Sequence, residues 1–149
     1  MTVEFECRTF VPASPQQAFD RARSIDLHVT SMSRSREQAI GGVTSGLIGL
    51  GEEVTWRATH FGISFRMTSR ITTMHEPQSF TDEQVRGPFA EFRHEHGFAA
   101  QGDGTLMTDR VRFRAPLGPL GRLAELVLGP YLERLIARRN AQLAAIGDA

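Results

Sequence analysis

Five stretches of alternating apolar and polar residues follow one another between about Glu53 and Arg114, and the chain then enters one long helical segment after PLGPLG. Alternation with period two marks strands that bury one face. Short turns between consecutive strands give an antiparallel meander, and the element available to cover its apolar face is a single C-terminal helix. A curved sheet wrapped about one helix is not filled by its own side chains. The pattern therefore predicts an α+β fold with a small-molecule cavity between sheet and helix.

The N-terminal third completes this frame. Val3, Phe5 and Cys7 alternate with Glu4, Glu6 and Arg8, which predicts a first strand. Ser14-Pro15-Gln16-Gln17 then reads as a helix start, with Ser14 as cap, Pro15 at the first helical position and Gln17 closing a capping box. Ala18 and Phe19 supply its buried face, and a second short helix is expected from about Ile25 to Met32. The run GGVTSGLIGLG at 41–51 lacks the spacing of a dinucleotide-binding fingerprint and reads as a loop or short irregular strand; its functional alternative is a mobile flap at a pocket mouth.

Composition narrows the classes. A chain of 149 residues is expected to form one domain over 1–149, and 40% apolar with 23% charged residues is an ordinary globular balance. A formal net charge of +0 argues against a nucleic-acid or anionic-membrane binder. All the basic side chains are Arg. The lone Cys7 has no disulfide partner in the chain, which fits a reducing compartment. The first residues lack a secretion signal and no segment reaches the ~20 apolar residues of a membrane span, so a cytoplasmic protein is expected, monomeric or homodimeric. No nucleophile elbow, phosphate loop or zinc-finger spacing is present, and neither a cofactor nor a metal is expected.

Two hairpin registers follow from the sequence. A turn at Phe61-Gly62 sets His60 near Ile63, Ala58 opposite Phe65, Trp56 opposite Met67 and Val54 opposite Ser69. A turn at Gln101-Gly102-Asp103-Gly104 sets Phe98 opposite Met107, His96 opposite Asp109, His94 opposite Val111 and Phe92 opposite Phe113. On the outer face the second register pairs Glu95 with Arg110 and Glu91 with Arg114, and leaves Arg93 opposite Arg112.

The inner face of that hairpin holds the chemical anomaly. His94, His96 and Asp109 sit among Phe92, Phe98, Val111 and Phe113. A buried carboxylate is costly unless paired, and His96 directly across would pair with Asp109. Phe80, the largest apolar group of its strand, favours the phase that points it inward together with Asp82 and Gln84, with Asp82 beside His94; the opposite phase would turn Thr81, Glu83 and Val85 inward. Three readings fit the cluster: a polar network that shapes a ligand pocket; His96 as a general acid/base held by Asp109; or a metal held by His94, His96 and one acid. His60 is expected on the rim. Trp56 reads as core or as a substrate platform. Arg110, Arg112 and Arg114 form a solvated face.

In the terminal helix, Leu120, Leu123, Val127, Leu128, Tyr131, Leu135, Ile136 and Leu143 recur at helical spacing as the inward stripe, with Arg122, Glu125, Glu133 and Arg139 elsewhere. Tyr131 is placed to show its hydroxyl to the cavity. Gly129-Pro130 predicts a kink or a break into two segments.

The segments EEVTWRATHFGISFRMTSRIT, FTDEQVRGPFAEFRHEHGF and TDRVRFRAPLGPLGRLAE resemble the SRPBCC ligand-binding superfamily. This is the helix-grip fold shared by START lipid-transfer domains, the birch-pollen-allergen group and polyketide cyclase/dehydratase-like proteins. The resemblance covers most of the chain. It implies a seven-stranded antiparallel sheet gripping a long helix, a deep and largely apolar cavity, and binding or transformation of lipids, sterols or polyketides, in many members without a cofactor. It carries over no catalytic residue. The expected function is binding of a small hydrophobic molecule with a polar group: Trp56, Phe65, Met67, Phe92, Phe113 and Tyr131 form apolar walls, and Asp82, Gln84, His94, His96 and Asp109 the polar end. The alternative is a cyclase, dehydratase or isomerase acting on a polyketide-like carbonyl compound through His96 and Asp109. A third reading, an interaction module with a vestigial cavity, requires a collapsed interior.

Overall fold

The computed structural model describes residues 2–146; residue 1 and residues 147–149, the ends of the expected domain, lie outside the described residues. Strand β1 (Val3–Val11) leads into helices α1 (Pro15–Arg23) and α2 (Ile25–Ser31). Strands β2 (Gln38–Gly42), β3 (Glu53–His60), β4 (Ile63–His75), β5 (Ser79–Arg86), β6 (Glu91–Gln101) and β7 (Gly104–Arg114) follow, and α3 (Gly118–Ala144) closes the chain. The order β1-β7-β6-β5-β4-β3-β2 is an antiparallel meander whose last strand pairs with the first. This is the helix-grip α+β fold that the resemblance implied.

Local chemistry explains the helix starts. The Ser14 side chain accepts from the Gln17 amide while Gln17 reaches back to the Ser14 amide, so the capping box forms with Pro15 at the first turn. Ser24 ends α1 and caps α2 by accepting from the Leu27 amide. The glycine-rich run begins inside β2, where Gly42 adopts φ 68° and a Cβ would stand 2.2 Å from the Glu53 carbonyl oxygen. Further on, Ile48 is 3% exposed and belongs to the core, so the run is anchored at that point.

Both hairpin registers match the sequence reading pair for pair. Phe61 and Gly62 both have positive φ, 54° and 74°, as the tightest two-residue hairpin turn demands. The outer face departs from the direct pairing. Arg110 bonds Glu6 on β1 at 2.9 Å, Glu95 takes Arg93 two residues away at 2.9 Å, and Glu91 takes Arg112 at 3.4 Å in place of Arg114. Arg110 thus takes the residue directly opposite it on β1, Arg93 a neighbour on its own strand and Arg112 a diagonal one, which gives both members of the Arg93–Arg112 juxtaposition a carboxylate.

Helix α3 corrects two expectations. It runs unbroken through Pro130, whose missing N–H falls on the exposed side where water can satisfy the freed carbonyl. At 27 residues it is about 40 Å long. Its inward stripe holds from Leu128 to Leu143, and Leu120, though 69% exposed, lines the cavity; Leu123 and Val127 are 65% and 59% exposed and do not line it, while Glu125 and Arg139 are buried. Two core clusters flank the interior. One gathers Val11, Phe80, Met107 and Leu143 around Phe19, which meets Phe80 and Phe98 edge-on at 5.5 Å. The other gathers Phe92, Val111, Phe113 and Ile136.

Candidate functional site

Between sheet and helix lies a cavity of about 370 Å³. Its lining includes Trp56, Phe65, Met67, Asp82, Phe92, His94, His96 and Tyr131 among the expected residues. Gln84 and Phe113 are placed elsewhere. Gln84 donates to the Phe89 carbonyl at 2.8 Å and accepts from the Phe89 amide at 3.2 Å, which ties the β5–β6 turn. Phe113 is 0% exposed in the second core cluster. Asp109, 0% exposed, lies behind the lining.

The inner end of the cavity is built from β5, β6, β7 and the last turns of α3. Phe80 is buried and the Asp82 side chain is 20% exposed on the cavity wall, the phase expected for β5. Asp82 pairs with His94 in backbone register and His96 pairs with Asp109. The side chains cross over. His94 Nε2 reaches Asp109 Oδ1 at 2.6 Å, and His96 Nε2 reaches Asp82 Oδ2 at 2.7 Å. His96 Nδ1 stands 3.4 Å from Asp109 Oδ1 but is too poorly aligned for a hydrogen bond, and it has no other partner among the described residues. Asp109 therefore orients His94, and Asp82 orients His96, because each imidazole leans past its cross-strand neighbour to stack. The rings of His94 and His96 lie 3.8 Å apart at 18°, and Phe80 covers the other face of His96 at 4.1 Å and 13°.

Asp109 collects further donors from the helix. Arg139 donates to its Oδ1 at 3.2 Å and Asn140 to its Oδ2 at 2.6 Å, while Arg139 also donates to Asn140. Sequence reasoning missed both residues. The available signal was spacing: Arg139 sits three residues after Ile136 and four after Leu135 and before Leu143, in the middle of the buried arc. Ser69 was also passed over. It is 4% exposed on the cavity lining, and its hydroxyl has no partner among the described residues.

The electrostatics divide the two imidazoles. Burial opposes ionisation of Asp109, but the Arg139 charge and the His94 contact outweigh it and hold the carboxyl well below its usual range. Burial likewise opposes Asp82, and its bond to His96 overrides that and lowers it. Burial, reinforced by the neighbouring charge of His96, pushes His94 down to about 4. Burial also works against charged His96, yet contacts with Asp109 and Asp82 prevail and raise it. With His96 protonated and His94 neutral, two carboxylates face two cations and the cluster is electroneutral. A neutral His94 must donate its Nε2–H to ionised Asp109, which leaves its Nδ1 lone pair as an acceptor. The pair thus offers a proton donor and a proton acceptor side by side. Asp82, His94 and His96 also bring one ligand atom each to within 4.8 Å of one another, a set of the right kind for a divalent metal.

A second polar group lines the same cavity. His28 Nε2 bonds Glu37 Oε1 at 2.9 Å and the His28 ring stacks on Trp56 at 4.0 Å. His60 Nδ1 bonds the Tyr131 hydroxyl at 2.7 Å, and the exposed Phe61 ring lies 4.6 Å from Tyr131. His60 is thus a rim residue, as expected. Among the described residues no helix is long and apolar enough to cross a membrane.

Comparison with known proteins agrees with this architecture. The structure is similar to TTHA0849 from Thermus thermophilus, with a TM-score of 0.76 and 14% identity over 98% of this chain and 100% of that one. It is also similar to the Zhui aromatase/cyclase from a Streptomyces species, with a TM-score of 0.77 and 12% identity over 97% and 92%. Ginseng major latex-like protein 151 from Panax ginseng gives a TM-score of 0.64 and 16% identity over 94% and 96%. At these identities the likeness is one of fold. No curated protein matches the chain. The family model described as polyketide cyclase / dehydrase and lipid transport matches residues 2–146, and the chain belongs to that family, within the SRPBCC superfamily.

Proposed function

We propose that this protein binds a small, mainly hydrophobic molecule whose polar group lies against Asp82, His94 and His96. The observation that carries the reading is a cavity of about 370 Å³ with largely apolar walls and one polar corner, where His94 and His96 are buried and Asp82 is partly exposed. Ligand pockets have this make-up: apolar lining for affinity and a few placed polar groups for orientation. A packed interior, which the interaction-module reading needs, is not what the cavity volume describes. The family description spans both cyclisation or dehydration and lipid transport, and supports a hydrophobic ligand without choosing between carriage and turnover. Native mass spectrometry of the purified protein, followed by extraction, tests the proposal. A retained hydrophobic molecule, or saturable quenching of Trp56 by added hydrophobic compounds, is the expected result. Failure to retain or bind any of a lipid, sterol and aromatic panel removes the reading.

A second reading is favoured by the split between the two imidazoles. In it the protein is a cyclase, dehydratase or isomerase for a polyketide-like carbonyl compound. His96, oriented by Asp82 in place of Asp109, gives the carbonyl oxygen the Nε2 proton that Asp82 holds, since its Nδ1 is buried beside Asp109, and His94 accepts a proton from carbon at Nδ1. His96→Gln then abolishes turnover while binding changes only a few-fold. Parallel loss of both supports a carrier.

A further inference from the structure

The inner corner accounts for one end of the cavity and leaves the other end chemically unexplained. His28, Glu37, His60 and Tyr131 also line it, and they are not a closed hydrogen-bonding set. Burial opposes ionisation of Glu37, but the His28 charge and contact outweigh it and lower its pKa, so it is an anionic acceptor. Ser35 donates to its Oε2 at 3.2 Å. Burial lowers His60 and raises Tyr131, which keeps the ring neutral and the phenol protonated. A neutral imidazole and a phenol own one N–H and one O–H between them. Their mutual bond at 2.7 Å uses one of these protons whichever tautomer is present, and the other remains free for a guest.

The separation of the two ends is set by the helix. Tyr131 belongs to the outer group, and Arg139 anchors the inner one through Asp109. Eight residues of helix between them correspond to about 12 Å. Trp56, Phe65, Met67, Leu128 and Leu135 line the same cavity and supply apolar walls. A molecule with a polar group at the inner end alone would lay hydrocarbon against Glu37 and a spare donor. Glu37 already accepts one bond on each oxygen, from His28 and from Ser35, so what such a guest would strip of water is its remaining lone pairs and the spare donor.

We infer that the ligand is two-headed: an apolar body carrying a hydrogen-bonding oxygen or nitrogen at each end, roughly 12 Å apart by helical rise, one held by Asp82, His94 and His96 and the other by Glu37 and the His60–Tyr131 pair. This rests on the hydrophobic-ligand reading above and narrows it to a class.

Trp56 is the single tryptophan and stacks on His28, so its fluorescence reports occupancy of this cavity. The test titrates α,ω-diols of six, eight and ten carbons, and 1-alkanols of the same lengths, into the wild-type protein and into Tyr131→Phe and Glu37→Gln. At the matching length the diol binds at least as tightly as its alkanol, although its second hydroxyl is costlier to dehydrate. Each substitution then weakens that diol about tenfold, the loss of one net hydrogen bond, and leaves the alkanol within about twofold. The inference is overturned if alkanols bind while every diol binds tenfold or more weakly, or if the substitutions leave a tight diol unaffected; the outer groups then face water only. If neither class binds at any length, the two-headed inference is overturned, and the lipid, sterol and aromatic panel separately decides the hydrophobic-ligand reading.

Discussion

The two halves of α3 meet opposite fates. In the first half Leu120, Leu123, Leu126 and Val127 are 59% to 74% exposed. In the second, Leu135, Ile136, Arg139, Asn140 and Leu143 are all buried, none above 8%. An arginine and an asparagine are inside while Leu123, Leu126 and Val127 are outside, the reverse of hydropathy. What lies opposite decides it. The second half rests on the packed sheet, where Asp109 needs donors. The first half roofs the cavity, and its inward side is taken by Leu120, Gly121, Ala124 and Leu128. Burial of a residue is a property of its counterpart as much as of itself.

Mutations in the second half, or at the β7 carboxylate Asp109 that it serves, should be severe and those in the first half mild. Asp109→Ala orphans Arg139, His94 and Asn140 together, and unfolding in urea should show a loss of about 5 kcal/mol, the upper range for breaking a buried ionic pair. A loss under about 1 kcal/mol would mean that water already reaches this corner. Ile136→Ala, measured the same way, should cost about 2–4 kcal/mol through lost burial and a cavity. In contrast Leu123→Ser, on the open face of the first half, should stay within about 0.5 kcal/mol; a large loss there would mean that this face is covered in solution.

Between these extremes lies a pH effect from the inner corner on β5, β6 and β7, against which the second half of the helix packs. His94 is depressed in the folded state, so the unfolded chain binds its proton first, and stability is lost as pH falls from 6.5 toward about 4. His96 is raised, so its contribution is full below 6.5 and is lost as pH rises through its folded value. Asp82 and Asp109 are lowered, and their contribution disappears only below the ordinary carboxylate value of 3.8. Stability should therefore peak near pH 6.5, the unfolded value shared by both imidazoles. His94→Gln should flatten the acidic slope and His96→Gln the alkaline one, read as midpoints of thermal unfolding across pH. Unchanged slopes in both variants would exclude the split protonation assigned to the pair.

The meander, both hairpin registers and the capping box of α1 were legible because each rests on contacts close in sequence: turn residues, alternation and one helical turn. The inner corner was legible in part. Alternation placed His94, His96 and Asp109 on one face, and the size of Phe80 chose the phase of Asp82. The exchange of partners, by which Asp109 takes His94 and Asp82 takes His96, was not, because register locates backbones and not ring tilts. Gln84 was drawn away by the turn beside it, a competition that alternation does not weigh.

Sequence alone determined β1, the meander of β3 to β7, the covering helix and the side of the sheet on which the imidazoles lie, since period, turn chemistry and capping act over a few residues, whereas β2 carried no such signal. Tertiary structure decided which carboxylate serves which ring, that Arg139 and Asn140 turn inward to Asp109, that Leu123 and Val127 stay in water, and that a second polar group faces the same hollow from α2, β3 and α3. Those choices depend on side chains 14 to more than 70 positions apart, where desolvation and charge are settled by three-dimensional neighbours that no local pattern encodes.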